Sequence, residues 1–171
     1  MLRLSRMSPP PATARISTPV GTVELVAAGE ALVSARIHAR PLDERHDAGN
    51  RVLDESVAQM RDWFSGARKA FDLPLAPAET AEGAALRAGI ASIPYGETLT
   101  YGALGERIGH IARAVGQACK TNPFPIIIPC HRVVSTSGPE YYSAGQGKRT
   151  KTWLLDFEYD HLPPEKRTRL I

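Results

Sequence analysis

Cysteine is scarce. The 171-residue chain carries 2, at positions 119 and 130, too few for a disulfide framework. A bridge between them is one reading; free thiols in a reducing cytosol are the expectation. Long apolar runs are missing too. None approaches the roughly 20 residues that a membrane-spanning helix needs, and the opening M-L-R-L-S-R-M-S-P-P-P-A-T-A-R has no apolar stretch of the secretory type. That opening is basic and acid-free to Arg15, as transit peptides are. Its three consecutive prolines exclude the amphipathic helix such a peptide uses, so residues 1–15 read as a disordered tail. Internal repeats are absent. So is a strong charge excess: the formal net charge is +3 and the pI about 9.0, a mild basic bias that admits a polyanionic partner without demanding one. What is present is a hydrophobic fraction of 43% and a charged fraction of 23%, the balance of a soluble globular protein with length enough for a core in one moderate domain or two small ones.

Along the chain, Thr18 to Ile37 reads as a β-hairpin, with Val23 and Leu25 and then Leu32, Ala35 and Ile37 as the inward positions and Gly21 and A-G-E as turns. A charged loop, 41–50, precedes V-L-D-E-S-V-A-Q-M-R-D-W-F-S-G, where Val52, Leu53, Val57, Met60, Trp63 and Phe64 recur at helical spacing and Gly66 ends the run. Ala70 to Leu75 looks like a further short strand, and A-P-A-E-T, 76–80, like a linker. Thr80 is placed to cap an alanine-rich helix to about Ser92. Thr100 is placed to cap a second, Tyr101 to Ile108, stopped by Gly109, and a third, Ile111 to Lys120, follows almost without a loop. Two short helices joined tightly around a glycine outline a helix-turn-helix. A glycine-rich loop, 138–147, and a helix around Lys151 to Glu158 complete the chain before a proline-containing tail.

The chemistry concentrates in N-P-F-P-I-I-I-P-C-H-R-V-V, Asn122 to Val134. Its prolines forbid a helix, the three isoleucines read as a short buried extended run, and Pro129 turns the chain so that Cys130 is presented rigidly at the edge of a core. A thiol needs a neighbouring base to become the thiolate nucleophile, and a carboxylate to hold an imidazole base in one tautomer. His131 is the local base, acting through a bridging water because neighbours in an extended segment point apart. A buried structural cysteine is the plain alternative. A zinc site of Cys119, Cys130 and His131 has poor ligand spacing and lacks a fourth ligand. No metal or cofactor is called for.

I-P-Y-G-E-T-L-T-Y-G-A-L, R-A-V-G-Q-A-C-K-T-N-P-F-P-I-I-I-P-C-H-R-V-V and K-T-W-L-L-D-F-E together resemble the O6-alkylguanine-DNA alkyltransferases. T-P-V-G and W-F-S-G-A-R-K-A-F-D-L-P-L extend the resemblance from about Thr18 to Glu158. It implies an α+β fold: a small N-terminal α/β domain with a short antiparallel sheet (16–77), then a mostly helical, winged-helix-like C-terminal domain containing the helix-turn-helix (78–160), with a tail at 161–171. It implies irreversible, single-use transfer of an alkyl group from O6 of guanine, or O4 of thymine, to the protein's own cysteine, with the target base flipped out of the duplex. By position Cys130 matches the acceptor, His131 the water-linked base, Glu158 the carboxylate orienting it, Asn122 the brace of the active-site turns, and Tyr101 the residue that crowds the target phosphate and protonates the leaving base. Arg113 matches the finger that fills the vacated stack on a small-residue helix (Ala112, Ala114, Gly116, Ala118) lying in the minor groove of double-stranded DNA. Pro125, Tyr142 and Ser143 are the expected pocket residues, with Tyr141 competing for the place of Tyr142. A cytoplasmic monomer is the expectation.

Four departures stand out. Glu82 and Arg87 occupy places where large apolar residues are common. The interval from Tyr101 to Arg113 is two residues short. The loop G-P-E-Y-Y-S-A-G-Q-G-K carries one extra residue. Cys119 lies on the recognition helix and has no assigned role. The rival readings are a lesion-binding protein without transfer, in which the cysteine would be replaced, and a cysteine hydrolase, which needs an oxyanion hole.

Overall fold

A computed structural model of the chain describes residues 8–168. Residues 1–7 of the expected tail lie outside the described part. The chain begins with three antiparallel strands, β1 (Ala12–Thr18), β2 (Gly21–Ala28) and β3 (Ala31–His38), joined by two tight turns; a short β4 (Arg45–His46) closes the sheet in the order β3-β2-β1-β4. The hairpin expected from Thr18 onward is β2–β3. The sequence reading missed β1, which begins inside the segment taken for a tail. Ala14 and Ile16 give it a buried face, yet two apolar positions among Thr, Arg and Ser are a weak period-2 signal. At the first turn Gly21 has φ +113°, and a Cβ there would stand 2.1 Å from the carbonyl oxygen of His38, so the position admits only glycine.

Helix α1 (Arg51–Phe64) starts where Asn50 accepts the amide of Leu53. Its Leu53, Val57, Met60 and Trp63 are buried and pack on the sheet. The strand expected at 70–75 does not form. Gln59 takes both backbone groups of Asp72, amide and carbonyl, at 2.9 Å each, and Pro74 has no N–H to offer. Only Leu75 makes a bridge, to Leu32 of β3.

The second half is helical, with α2 (Ala81–Ala91), α3 (Tyr101–Ile108), α4 (Ala112–Lys120) and α5 (Lys148–Asp160), plus a two-stranded parallel pair, β5 (Leu99–Thr100) and β6 (Val133–Val134). Thr80 and Thr100 cap α2 and α3 through the amides of Gly83 and Ala103, and Gly109 ends α3 in the left-handed region. The short turn into α4 is made by Gly105: a Cβ there would lie 2.4 Å from the His110 carbonyl oxygen. The turn thus runs in intimate approach to α3. The described part of the expected C-terminal tail, 161–168, packs on the fold, for Leu162 is buried and covers Gly96, and Arg167 donates to the carbonyls of Leu162 and Asp160; residues 169–171 lie outside the described part. One continuous core joins the two halves, with Trp63 of α1 beside Tyr95, His131 and Phe157.

Candidate active site

The segment from Phe124 to Cys130 is buried but not extended. Ile126 has φ +72°, the single positive φ outside glycine among the described residues, and Ile128 N–H closes a turn on the Phe124 carbonyl at 2.8 Å. A β-branched residue in that region is strained. Prolines on both sides and complete burial hold it there. The turn delivers Cys130 into a single 3-10 turn, Cys130–Arg132. Asn122 is the brace: its amide nitrogen donates to the Ile128 carbonyl at 2.8 Å and to the Cys130 sulfur at 3.1 Å, while its oxygen accepts the Phe124 amide at 2.9 Å. Burial pushes the thiol pKa up; the Asn122 donor and the Lys151 ammonium pull against it.

Behind the thiol lies a closed polar cluster. His131 and Glu158 are both 0% exposed, with His131 Nε2 2.7 Å from Glu158 Oε1. Arg132 grips the same carboxylate through Nε at 3.1 and 3.0 Å and Nη2 at 2.8 Å, and its Nη1 donates to the Ile93 carbonyl. The Gly96 amide completes the set at 3.0 Å from Oε2. Burial opposes ionisation of Glu158, but the groups gathered on it, with the permanently charged guanidinium foremost in our reading, hold its carboxyl below the usual range. Burial likewise lowers the pKa of His131, against the pull of Glu158. A neutral His131 facing a carboxylate carries its proton on Nε2, which leaves Nδ1 as a free acceptor; that atom has no protein partner.

In front of the thiol is a cavity of about 560 Å³, with Tyr101, Gly116, Cys119, Cys130, Tyr142 and Ser143 among its lining residues. Tyr142 points in, its buried hydroxyl set towards the Cys130 sulfur without a well-formed hydrogen bond, whereas Tyr141 is 68% exposed on the rim. Burial, then the charges of Cys119 and Cys130, raise Tyr101 to about 12. Ser143 sits at the mouth, its hydroxyl 3.3 Å from the Lys120 carbonyl. Pro125 corrects one expectation. It is buried in the turn and does not line the cavity, because the kink at Ile126 carries it inward; α4 supplies the opposite wall. The small residues of α4 also do not form one face. Ala112 and Gly116 border the cavity, while Ala114 and Ala118 line a groove against α2. Positions two apart on a helix lie some 200° around it, so the two pairs, each spaced by four, face different ways. Arg113 is exposed beside Ala112 and bonded to none of the described residues.

Two cations escaped the sequence reading. Arg132, quoted within P-C-H-R, was given no role. Lys151 is 1% exposed; its Nζ donates to the carbonyls of Val133 at 2.6 Å and Tyr141 at 2.8 Å, tying the rim loop to β6, and stands 5.7 Å from the Tyr101 ring. Nothing in a lone lysine four residues into a helix marks it as buried. The signal that could have found both was the mismatch between a core-forming neighbourhood and a charged residue inside it. Among the described residues no cluster of three metal-ligating side chains exists.

A thiol with its own buried base, opening on a cavity walled by the second helix of a helix-turn-helix, defines a class: DNA-binding proteins whose reactive group is a cysteine. Comparison with known proteins narrows it. Residues 84–159 match the family model described as 6-O-methylguanine DNA methyltransferase, DNA binding domain. The methylated-DNA–protein-cysteine methyltransferase of Mycobacterium leprae is 32% identical over 152 residues, 84% of this chain and 89% of that one. That of Methanosarcina acetivorans is 40% identical over 106 residues, 61% and 67%. The crystal structure of Mycobacterium tuberculosis O6-methylguanine methyltransferase superposes with a TM-score of 0.78 at 31% identity, over 91% of this chain and 96% of that one; the structure of that organism's protein in complex with DNA does so with a TM-score of 0.75 at 31% identity, over 88% and 94%. This chain belongs to the methylated-DNA–protein-cysteine methyltransferase family.

Proposed function

We propose that this protein repairs DNA by transferring a methyl or larger alkyl group from O6 of guanine, and from O4 of thymine, to Cys130, once per molecule and without a cofactor. The observation that carries the reading is the position of Cys130: it forms the floor of an open cavity and is backed by a buried imidazole whose Nδ1 is free to accept. The target base is extruded from the stack to reach that floor, since a thiol cannot reach O6 in line within a duplex.

A water between Sγ and Nδ1 passes the thiol proton to His131, and the Glu158 carboxylate, held in place by Arg132, steadies the imidazolium that forms. The thiolate attacks the alkyl carbon from the side opposite O6; the S–C bond forms, the C–O bond breaks, and its electron pair goes to the guanine. Tyr101 gives that base a proton and is reprotonated from the proton held on His131 through solvent. Net, the thiol hydrogen ends on guanine and the alkyl group on sulfur. The raised pKa of Tyr101 keeps its proton in place until charge develops on the base. Tyr142 and Ser143 hold the base edge. Arg113, exposed next to the mouth, fills the gap in the stack, and the α4 face bearing Ala112 and Arg113 enters the minor groove of double-stranded DNA, bound mainly through phosphates. Ala114, turned towards α2, supports this face from behind. We place the boundary between the two units at 77/78, with the first unit starting at β1 (Ala12) and not at 16, and read the protein as a monomer working in the reducing cytoplasm, which suits its free thiols.

Incubation with an oligonucleotide carrying O6-methylguanine adds one methyl to the peptide bearing Cys130, read by intact-protein and peptide mass spectrometry. Tight lesion binding with no added mass would sink the transfer reading in favour of a lesion-binding protein.

A further inference from the structure

Strand β3 is last in its sheet, so one of its edges has no strand neighbour. Such an edge is a row of unpaired backbone groups that a fold must occupy. Here it is occupied by the active site. Leu32 donates to the Pro74 carbonyl and accepts the Ala76 amide, both at 2.8 Å, which fastens the linker. Ala35 N–H donates to the Pro123 carbonyl at 2.8 Å, and the Ile37 carbonyl accepts the Gly145 amide at 3.1 Å. Pro123 adjoins the brace Asn122; Gly145 closes the loop that carries Tyr142 and Ser143. Residues on one edge should differ by even steps, but Leu32 and Ala35 differ by three. A β-bulge resolves this: Ser34 pairs with Val26 and Leu32 with Ala27, leaving Val33 over. The bulge brings three anchoring positions onto the same edge.

We infer that the free edge of β3 is a positioning element for alkyl transfer, which sets the cavity floor against its loop wall by holding the Asn122–Pro123 segment, and through it Cys130, at Ala35 and the Tyr142–Ser143 loop at Ile37. The N-terminal sheet thereby acts on the reaction without touching substrate. Its hold on the loop is close: a Cβ on Gly145 would meet Thr150 Oγ1 at 2.6 Å and the Ile37 side chain at 3.1 Å. The inference rests on the reading of Cys130 as the alkyl acceptor.

Two variants separate the two anchors. Ala35→Pro removes one N–H at an edge position, where proline is tolerated. It loosens Asn122 from the sulfur, slows carbamidomethylation of Cys130 by iodoacetamide on the order of tenfold at neutral pH, and moves that reaction's pH profile upward. Gly145→Ala displaces the loop wall; it leaves the iodoacetamide profile in place and lowers the single-turnover rate with O6-methylguanine DNA. Ile16→Ala, on β1 and a full strand removed from β3, is the control for lost stability and changes neither reading. A folded Ala35→Pro protein with the wild-type thiol profile, or an Ile16→Ala protein with the same upward shift, overturns the inference. If Ala35→Pro does not fold, the Gly145→Ala arm decides, and an unchanged transfer rate overturns it. A wild-type protein that reacts with iodoacetamide at Cys130 yet takes no methyl from DNA would instead refute the function, leaving the β3 anchors to be judged on the iodoacetamide arm.

Discussion

The two sides of Cys130 are built on opposite plans. Behind it, His131, Arg132 and Glu158 are buried and bonded to one another and to the backbone, with one acceptor, His131 Nδ1, left over. In front, the Tyr142 hydroxyl is buried and meets the Cys130 sulfur without a well-formed hydrogen bond, and the wall of α4 includes Ala112, Gly116 and Cys119. A saturated network has one arrangement. An unsaturated, small-residue wall awaits groups from elsewhere, which a flipped base supplies. The contrast separates the part of the site that prepares the nucleophile from the part that receives the substrate, and substitutions on the two sides should fail differently.

The largest effect is at the boundary. Cys130→Ala abolishes transfer outright while keeping lesion binding, measured as gel-shift affinity without mass gain. If affinity is lost with it, the front wall depends on the sulfur and the two sides are not separable.

Next is the rear cluster. Glu158→Gln leaves the Arg132 charge buried without its counter-ion and frees His131 to take either tautomer. It should cost about 3 kcal/mol of stability and lower the transfer rate, read by denaturant titration and single-turnover kinetics. The same cluster gives a pH dependence with a defined sign. His131 and Glu158 both have folded pKa values below their unfolded ones. Each therefore contributes stability above its unfolded pKa, about 6.5 and 4.3, that is lost as pH falls. Melting temperature should drop from pH 7 towards pH 5 as His131 protonates in the unfolded state, and further below as Glu158 does. Transfer should speed up with rising pH, since burial holds the thiol above its ordinary pKa. A flat melting profile over that range would mean that the fold leaves His131 unperturbed, and a rise towards pH 5 that His131 is charged in the fold.

What the sequence made legible follows the same division. Helix caps rest on local hydrogen bonds, and Thr80, Thr100 and Gly109 stand where their residue types foretold. The pairing of Glu158 with His131 spans 27 positions, and no local rule reaches it; resemblance placed the two residues, and the fold brings them to 2.7 Å. Periodicity found α1, whose apolar face is strong, and missed β1, whose face is Ala14 and Ile16. Reading Ala112, Ala114, Gly116 and Ala118 as one bare side ignored the helical turn. The burial of Arg132 and Lys151 and the left-handed Ile126 were illegible for a common reason: each is imposed by tertiary packing against intrinsic preference.

On the front wall, Tyr142→Phe removes a buried hydroxyl that meets the Cys130 sulfur but makes no well-formed hydrogen bond in the free protein. Leaving such a group unsatisfied costs about 1–3 kcal/mol, so the variant should be as stable as the parent or more so, by thermal melting. Its transfer rate should fall if the hydroxyl meets the flipped base. A stabilised variant of full activity would make Tyr142 a packing residue only.

The smallest effect lies farthest from the sulfur. Arg113 is bonded to none of the described residues, so Arg113→Ala should leave stability unchanged within about 0.5 kcal/mol. Its role arises only when a base leaves a duplex. Repair of duplex DNA should slow while reaction with the free base O6-benzylguanine, which needs no flipping, stays at the parental rate. Raising salt should weaken duplex binding by both proteins, with a slightly shallower slope for the variant if Arg113 also neutralises a phosphate. Equal losses on duplex and free base would place Arg113 in the preparation of the nucleophile, on the wrong side of the division, and the separation of rear and front would have to be redrawn through α4.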